Sequence, residues 1–246
     1  MRKPEMILFD YGHTLVYEPV FDRNAGFRAV LEHCTANPRS VTAEALDLLY
    51  GAALSRLMEV SRASDCDFMD AAAKRLLYES LCLRFSEDLL SLERIFWDAA
   101  GPGTPMPGIR ELLPELKHRG IRTGVLSNMN FREASVRDRI DRLLPENTFE
   151  FVLCSCEYAT RKPRADFFRL ALAKAGLTPD RVWYCGDNPR CDVLGARAAG
   201  LTPVWYDNEN ACPYRAESDR VPVDFSCLRI GEWKELPGIL DETEAD

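Results

Sequence analysis

Four short segments of the chain place a carboxylate, a hydroxyl or an ammonium group where an apolar run ends. Asp10 follows the run MILF, Ser127 and Asn128 end TGVLSN, Lys162 lies in TRKPRADFF, and Asp187 opens DNPRCD. Carboxylates hold hard divalent cations, while a hydroxyl and an ammonium group can satisfy phosphate oxygens. These residue types together predict a site for a phosphoryl group and a divalent metal ion.

Each of these residues also has a purely local explanation. A lone aspartate such as Asp10 often caps a turn, and Ser127 with Asn128 is typical of a turn as well. Lys162 fits a solvated loop, and Asp187 or Asp192 fits a helix cap beside Pro189. Their shared position at successive strand ends favours the functional interpretation.

The elements that must hold these residues follow from the alternation of apolar runs with helical patterns from Leu112 onward. We predict a Rossmann-like α/β core, a parallel sheet with helices on both faces. Ligands of such sheets bind beyond the carboxyl ends of the strands. The predicted strands cover 6–9, 121–126, 149–155, 181–186, 202–207 and 223–226, and the predicted helices cover 109–119, 132–144, 165–174, 191–199 and 232–240.

Residues 17–103 have a different pattern, with helical periodicity and no convincing strand. Helices are predicted over 23–34, 43–61, 67–83 and 87–99, with Thr42 and Ser86 as N-caps. The chain is therefore expected to form two domains. The core takes residues 1–16 and 104–246, and an inserted all-helical cap takes residues 17–103.

Composition limits the classes of partner. The 246 residues carry a net charge of −8, which argues against nucleic acid or an anionic membrane surface as the main partner. No apolar run approaches the length of a membrane span, and the charged N-terminal residues do not suit a signal peptide, so a cytoplasmic location is expected. The nine cysteines lack paired CxxC spacing, which disfavours a disulfide framework or a zinc site. We expect a small phosphorylated molecule as the partner, and a monomer or homodimer.

The four segments FDYGHTLV, LSNMN, RKPRADFF and GDNPRCDVLGARAAG resemble the four ordered motifs of the haloacid dehalogenase-like hydrolase superfamily. The insert resembles the C1 type of helical cap in the same superfamily. The resemblance implies Mg²⁺ and an aspartate nucleophile that forms an aspartyl-phosphate, which water then hydrolyses. A phosphatase acting on a small metabolite is the expected activity.

The resemblance also assigns roles on the phosphate side of the site. Asp10 matches the nucleophile. Ser127 matches the hydroxyl that binds the phosphate, with Asn128 contributing beside it. Lys162 matches the lysine that neutralises the phosphate and orients the nucleophile, a role that suits a compact ammonium charge.

The metal side is assigned in the same way. Asp10 matches a ligand through its second oxygen, the backbone carbonyl of Gly12 matches another, and Asp187 matches a direct ligand. Asp192 matches an acidic partner that binds a metal-bound water or Lys162. A cation here, together with Lys162, would remove the repulsion between these carboxylates and an incoming phosphate.

One position departs from the pattern. Phosphatases of this superfamily usually carry a second aspartate two residues after the nucleophile, to protonate the leaving alcohol, and this chain has Gly12 there. A positioned proton donor contributes about 10²–10⁴-fold in rate. The substrates are therefore expected to be activated phosphates with good leaving groups. A second hypothesis is that His13 supplies the proton, since imidazole titrates near neutral pH.

Three alternatives remain open. A dehalogenase needs no metal, and the acidic segment GDNPRCD argues against it. A phosphonatase-like C–P hydrolase requires a lysine in the cap that forms a Schiff base, and Lys74, expected to be a solvent-facing helical residue, is the only lysine in the insert. The third alternative is a catalytically impaired module that only binds phosphate or a metabolite.

Substrate specificity is expected to come from cap and linker residues that face the site. Tyr17, Glu18, Phe21 and Arg62 are candidates, although each also suits a surface or packing position. Arg161, near the third motif, could add positive charge for a larger anionic substrate, as could Arg132 near the second.

Overall fold

The computed structural model describes residues 2–208, 212–213 and 215–243. Its core is a parallel sheet of six strands in the order β10-β9-β8-β1-β6-β7. This confirms the predicted α/β class. The strands are β1 (Met6–Phe9), β2 (Val16–Tyr17), β3 (Cys34–Ala36), β4 (Arg84–Phe85), β5 (Thr104–Pro105), β6 (Arg122–Ser127), β7 (Phe149–Cys154), β8 (Val182–Gly186), β9 (Thr202–Tyr206) and β10 (Leu228–Ile230).

Helices cover both faces of this sheet, which is why successive residues of β1 are all buried. The helices are α1 (Arg23–Leu31), α2 (Ala43–Ser64), α3 (Asp70–Ser80), α4 (Leu89–Ala100), α5 (Ile109–His118), α6 (Glu133–Leu143), α7 (Ala165–Ala175), α8 (Gly195–Ala198) and α9 (Leu236–Asp241). Met6 and Leu8 pack into one apolar cluster with α7 and α8, whereas Ile7 and Phe9 pack into another with α5, α6 and α9.

The segment between β1 and the rest of the sheet holds α1 to α4. The chain enters and leaves it through β2 and β5, which pair antiparallel with Val16 opposite Pro105 and Tyr17 opposite Thr104. We therefore propose the same division into core and cap at residues 16/17 and 103/104. The cap rests directly on the core, since Trp97 of α4 stacks on Phe131 with ring centroids 4.3 Å apart.

Two features of the insert differ from the sequence prediction. It contains a short antiparallel pair, β3 with β4, because the connections from α1 to α2 and from α3 to α4 run side by side. Ser86 is not an N-cap. Its side chain and N–H bond to the carbonyl of His33, and Asp88 caps α4 by accepting from the N–H of Ser91 at 2.7 Å. Thr42 caps α2 as predicted, by accepting from Ala45.

The last strand was predicted in the wrong place. Residues 223–226 form no strand, and β10 begins at Leu228, where Leu228 pairs with Val204 of β9. This register buries Ile230 against the core. The apolar residues of 223–226 stay partly exposed because no neighbouring strand pairs with them.

Candidate active site

The predicted chemistry-bearing residues meet at the carboxyl edge of the sheet. β1 lies between β6 and β8, and all three run parallel, so their last residues come to the same edge. Asp10 continues β1 by donating its N–H to the carbonyl of Cys185 at 2.9 Å. Ser127 ends β6, and Asp187 follows β8 directly. The order of the strands thus brings together groups that are up to 177 positions apart in the sequence.

Lys162 is the centre of the hydrogen-bond network at this edge. Its ammonium group donates to Asp10 Oδ1 at 2.8 Å, to Asp192 Oδ1 at 2.6 Å and to Tyr184 Oη at 2.6 Å. The side chain is only 1% exposed. Burial alone would lower its pKa, but the carboxylates of Asp10 and Asp192 outweigh this effect and raise the pKa of Lys162 above its usual value. The lysine is therefore charged and fixed in position.

Asn128 and Tyr184 hold Lys162 from two sides. The amide of Asn128 donates to the Lys162 carbonyl at 2.9 Å and accepts from its N–H at 2.7 Å, so both of these contacts go to the lysine backbone. The Tyr184 hydroxyl donates to the carbonyl of Leu126 at 2.7 Å and accepts from the ammonium group. Asn128 was predicted beside the phosphate, and here its amide positions the lysine.

Three carboxylates form an acidic cluster beside Lys162. Oxygen atoms of Asp10, Asp187 and Asp192 all lie within 4.8 Å of one another, and Asp187 and Asp192 are buried. Burial and mutual repulsion raise the pKa of Asp187, while burial raises that of Asp192 against the opposing charge of Lys162. Oxygen ligands at this spacing fit a hard divalent cation, which would relieve the repulsion.

A glycine lets Asp192 reach the cluster. A Cβ at position 186 would lie 2.4 Å from the Asp192 carboxylate, so a side chain there would displace it. The turn that carries Asp192 is a single π-helical segment, Pro189–Leu194, capped by Asn188, whose side chain accepts from the N–H of Cys191 at 2.9 Å. Asp192 in return accepts from the N–H of Asn188 at 2.8 Å. These contacts hold the Asp192 carboxylate in position.

Arg215 is a basic residue of the site that the sequence did not reveal. It comes from the segment between β9 and β10, and its guanidinium group forms an ion pair with the carboxylate of Asp187. Arg215 was not a candidate because it lies 28 positions from Asp187 and in no recognised motif. Tyr184 was not predicted as a site residue either, because a tyrosine inside a strand is usually a packing residue.

The loop after Asp10 contains Gly12, where the family resemblance predicts a second aspartate, and His13, the predicted alternative proton donor. Outside its own chain neighbours, no heavy atom of the described residues would lie within 4 Å of a Cβ at Gly12, so there is open space above this position. His13 is buried, has a left-handed backbone with φ of 54°, and meets the Tyr17 ring edge-on with centroids 5.7 Å apart. Gly12 and His13 both line the same cavity as Asp10.

This cavity, of about 250 Å³, contains the whole predicted site. Its volume suits a small metabolite rather than a polymer. Among the predicted residues it is lined by Asp10, Gly12, His13, Ser127, Asn128, Lys162, Asp187 and Asp192, and by the specificity candidates Glu18, Arg62 and Arg161.

Lys74 is not in this cavity lining, and the expectation that it faces solvent was wrong. Its side chain is 4% exposed, pairs with Asp70 at 2.5 Å, and lies over the Phe96 ring at 3.1 Å from the centroid. Burial lowers the pKa of Lys74, opposed by the charge of Asp70. The lysine is a buried ion-pair partner between cap helices because Asp70 and Tyr78 share its inward face.

The sequence profile described as haloacid dehalogenase-like hydrolase matches residues 6–200. A ribulose-1,5-bisphosphate 5-phosphatase of Halopiger xanaduensis is 27% identical over 94% of this chain and 98% of its own length. A phosphoserine phosphatase of Thermus thermophilus is 32% identical over 53% of this chain and 49% of its own length, so the match spans about half of that relative. The pyrimidine 5'-nucleotidase YjjG of Escherichia coli is 30% identical over 65% of this chain and 68% of its own.

Solved structures share the fold at lower identity. The 2-haloacid dehalogenase of Pseudomonas syringae pv. tomato gives a TM-score of 0.62 at 21% identity, with 98% of this chain and 99% of that chain covered. A HAD phosphatase of Thermococcus onnurineus also gives 0.62, at 16% identity with 99% of each chain covered. In the described part of the chain, no helix is long and apolar enough to span a bilayer.

Proposed function

Because the chain belongs to the haloacid dehalogenase-like hydrolase family, we propose that it is a phosphatase that cleaves small phosphorylated metabolites through attack of Asp10 on phosphorus. The observation that carries the proposal is the shared ammonium group of Lys162, which joins Asp10 and Asp192 beside Asp187 in one cavity. The relatives named as phosphatases support the same reaction type.

Asp10 is suited to act as the nucleophile. One of its carboxylate oxygens, Oδ1, lies 2.8 Å from the ammonium group of Lys162, and this contact orients the side chain. Attack on phosphorus forms an acyl phosphate on Asp10 and breaks the bond to the leaving group. Water then attacks the phosphorus of this intermediate and restores the carboxylate.

Ser127 and Lys162 would bind the phosphoryl oxygens. Both side chains are buried at the cavity, where a hydroxyl donor and an ammonium charge stabilise the developing negative charge more strongly than they would in water. Asn128 and Tyr184 keep the lysine in place for this role.

Asp10, Asp187, Asp192 and the Gly12 carbonyl would hold Mg²⁺ in this proposal. The cation would supply charge that offsets the phosphate and the clustered carboxylates. Arg215 is paired with Asp187, one of these proposed ligands. Burial is the main cause of the raised pKa values of Asp187 and Asp192, and a cation bound beside them would favour their charged forms.

Gly12 makes the proposed phosphatase selective for activated phosphates. No side chain at this position can protonate a leaving alcohol. The acetate of acetyl phosphate and the phenolates of aryl phosphates need little protonation to leave. His13 lines the cavity and is the candidate proton donor for any slower substrate. The same observation favours a second candidate, a module that binds a phosphorylated molecule without turnover.

Acetyl phosphate and p-nitrophenyl phosphate, each with and without Mg²⁺, separate these two functions. A phosphatase releases phosphate only with Mg²⁺, and Asp10→Asn abolishes the activity. The matched control is Asp166→Asn, which removes an exposed carboxylate outside the cavity lining and keeps wild-type rates. Tight binding of the substrates without any phosphate release by folded protein would contradict the phosphatase and favour the binding module.

Lys74 gives no support to the phosphonatase-like alternative. A Schiff base requires a free amine in reach of the substrate, and this ammonium group is paired with Asp70 away from the described cavity lining. Borohydride trapping with phosphonoacetaldehyde tests the point. We expect no adduct at Lys74.

A further inference from the structure

Among the described residues, the helices of the cap contribute one side chain to the lining of the cavity. Among the described residues, Arg62 of α2 is the only lining residue that comes from α1 to α4, since the others belong to the core loops and the linker after β2. A bound substrate that extends from the phosphate site toward the cap therefore meets a guanidinium group.

The position of Arg62 is fixed from the core. Its neighbour Ser61 accepts a hydrogen bond from Arg161 at 2.7 Å and donates one to Asp67 at 2.6 Å. Asp67 also accepts a hydrogen bond at 2.5 Å from the hydroxyl of Ser155, which lies in the loop after β7. These buried contacts tie the end of α2 to the core loops, so the backbone at Arg62 has a defined place at the cavity.

Among the described residues that line the cavity, Arg62 is also the cation without an acidic partner. Lys162 pairs with Asp10 and Asp192, Arg161 pairs with Asp67, and Arg215 pairs with Asp187. Within the described residues, no carboxylate lies within 4.0 Å of the Arg62 guanidinium group.

The lining carboxylates outside the acidic cluster are paired with cations other than Arg62. Glu18 pairs with Arg139 at 3.0 Å, and Asp219 pairs with Arg190 at 3.5 Å. The positive charge of Arg62 is therefore in excess on the cap side, where it is exposed and available.

We propose that Arg62 recognises a second anionic group of the substrate, so that the preferred substrates are small phosphate compounds that carry a carboxylate or a second phosphate at the other end. The inference rests on the proposed phosphatase function. A guanidinium group binds either oxyanion through two parallel hydrogen bonds, and this geometry selects for a planar or tetrahedral anion over a neutral polar group.

Two chromogenic substrates with similar nitrophenolate leaving groups test the proposal: p-nitrophenyl phosphate and 3-carboxy-4-nitrophenyl phosphate. The readout is the ratio of their kcat/KM values at constant low ionic strength, because salt screens an exposed cation. We expect wild type to prefer the carboxylated substrate, and Arg62→Ala to lower this preference by about tenfold or more, as loss of a charged hydrogen bond does. Arg62→Lys should retain part of the preference.

Arg56→Ala is the matched control, since Arg56 is another exposed arginine of α2 and lies outside the cavity lining. It should keep the wild-type ratio. Competition by 3-phosphoglycerate and by 1,3-propanediol bisphosphate against p-nitrophenyl phosphate then distinguishes a carboxylate from a second phosphate as the bound group.

Equal preference ratios in wild type and Arg62→Ala would overturn the proposal while leaving the phosphatase function intact. Absence of turnover for both substrates, with Mg²⁺ present and the protein folded, is the different result that contradicts the proposed function itself.

Discussion

Restoring a carboxylate at position 12 is the most direct test of the proposed chemistry. Gly12→Asp places its Cβ in open space, since no described atom other than those of its chain neighbours lies within 4 Å, and the backbone there is not left-handed. The substitution should therefore fold without displacing other groups. It adds a group that can protonate a leaving alcohol and later accept a proton from water.

The expected gain follows from the usual contribution of a positioned proton donor, about 10²–10⁴-fold in rate. At 1.36 kcal/mol per tenfold change, this corresponds to about 2.7–5.4 kcal/mol of the activation barrier. The gain should appear with glycerol 3-phosphate, whose alkoxide leaving group needs a proton. The gain in rate should be small with acetyl phosphate, because its acetate leaving group departs readily without a proton.

The substitution also has an electrostatic cost. A further carboxylate beside Asp10 and the buried acids at 187 and 192 increases repulsion, so the thermal midpoint should fall in the absence of a divalent cation. Added Mg²⁺ should raise the midpoint more in Gly12→Asp than in wild type. This measurement reports on ion binding without depending on turnover.

Steady-state kcat/KM values for both substrates, measured for wild type, Gly12→Asp and Gly12→Asn, give the result. Asparagine has a similar size and no transferable carboxyl proton, so it separates proton transfer from packing. Equal rates of the two variants on glycerol 3-phosphate, in folded protein that responds to Mg²⁺, would refute the assignment of position 12 as the missing acid and base.

Three further predictions concern stability and pH. Lys162→Met leaves the buried Asp192 carboxylate without its cation and should lower the free energy of unfolding by about 3–5 kcal/mol in urea titrations, whereas removal of an exposed lysine, Lys174→Met, should change it little. Burial raises the pKa of Glu18 from 4.5 to about 7, so the folded protein binds one more proton than the unfolded protein between these pH values, and wild type should lose stability as pH rises through them. Glu18→Gln should flatten that part of the plot of unfolding free energy against pH, and an unchanged slope would contradict the assignment. Asp67→Asn removes the charge that pairs with Arg161, and amide exchange should become faster over residues 61–69 and 155–161 but not over β1.

Local patterns predicted the elements that hold the site, because each strand ends where an apolar run meets a polar group. Asp10, Ser127 and Asp187 were all identified in this way, and the structure brings them to one sheet edge. The helices of the core were predicted for the same reason, since their apolar periodicity is a property of neighbouring residues. Boundaries were less accurate, as at 223–226, because strand pairing with β9 decided them.

Burial of charged residues could not be predicted from such patterns. Lys74 lies on the inward face of α3 with Asp70 and Tyr78, but its burial depends on the Phe96 ring of α4, 22 positions away. The pairing of Arg215 with Asp187 likewise depends on how the segment after β9 returns to the sheet edge.

The sequence by itself therefore determined which chemical groups are present, the order in which they follow the strands, and the loss of a carboxylate at Gly12. Only the tertiary structure decided which charges are paired and which stay available, leaving Arg62 as the unpaired cation of the described cavity lining. The physical reason is that a residue type is fixed by the chain, whereas burial and charge pairing depend on contacts between residues that are distant in sequence.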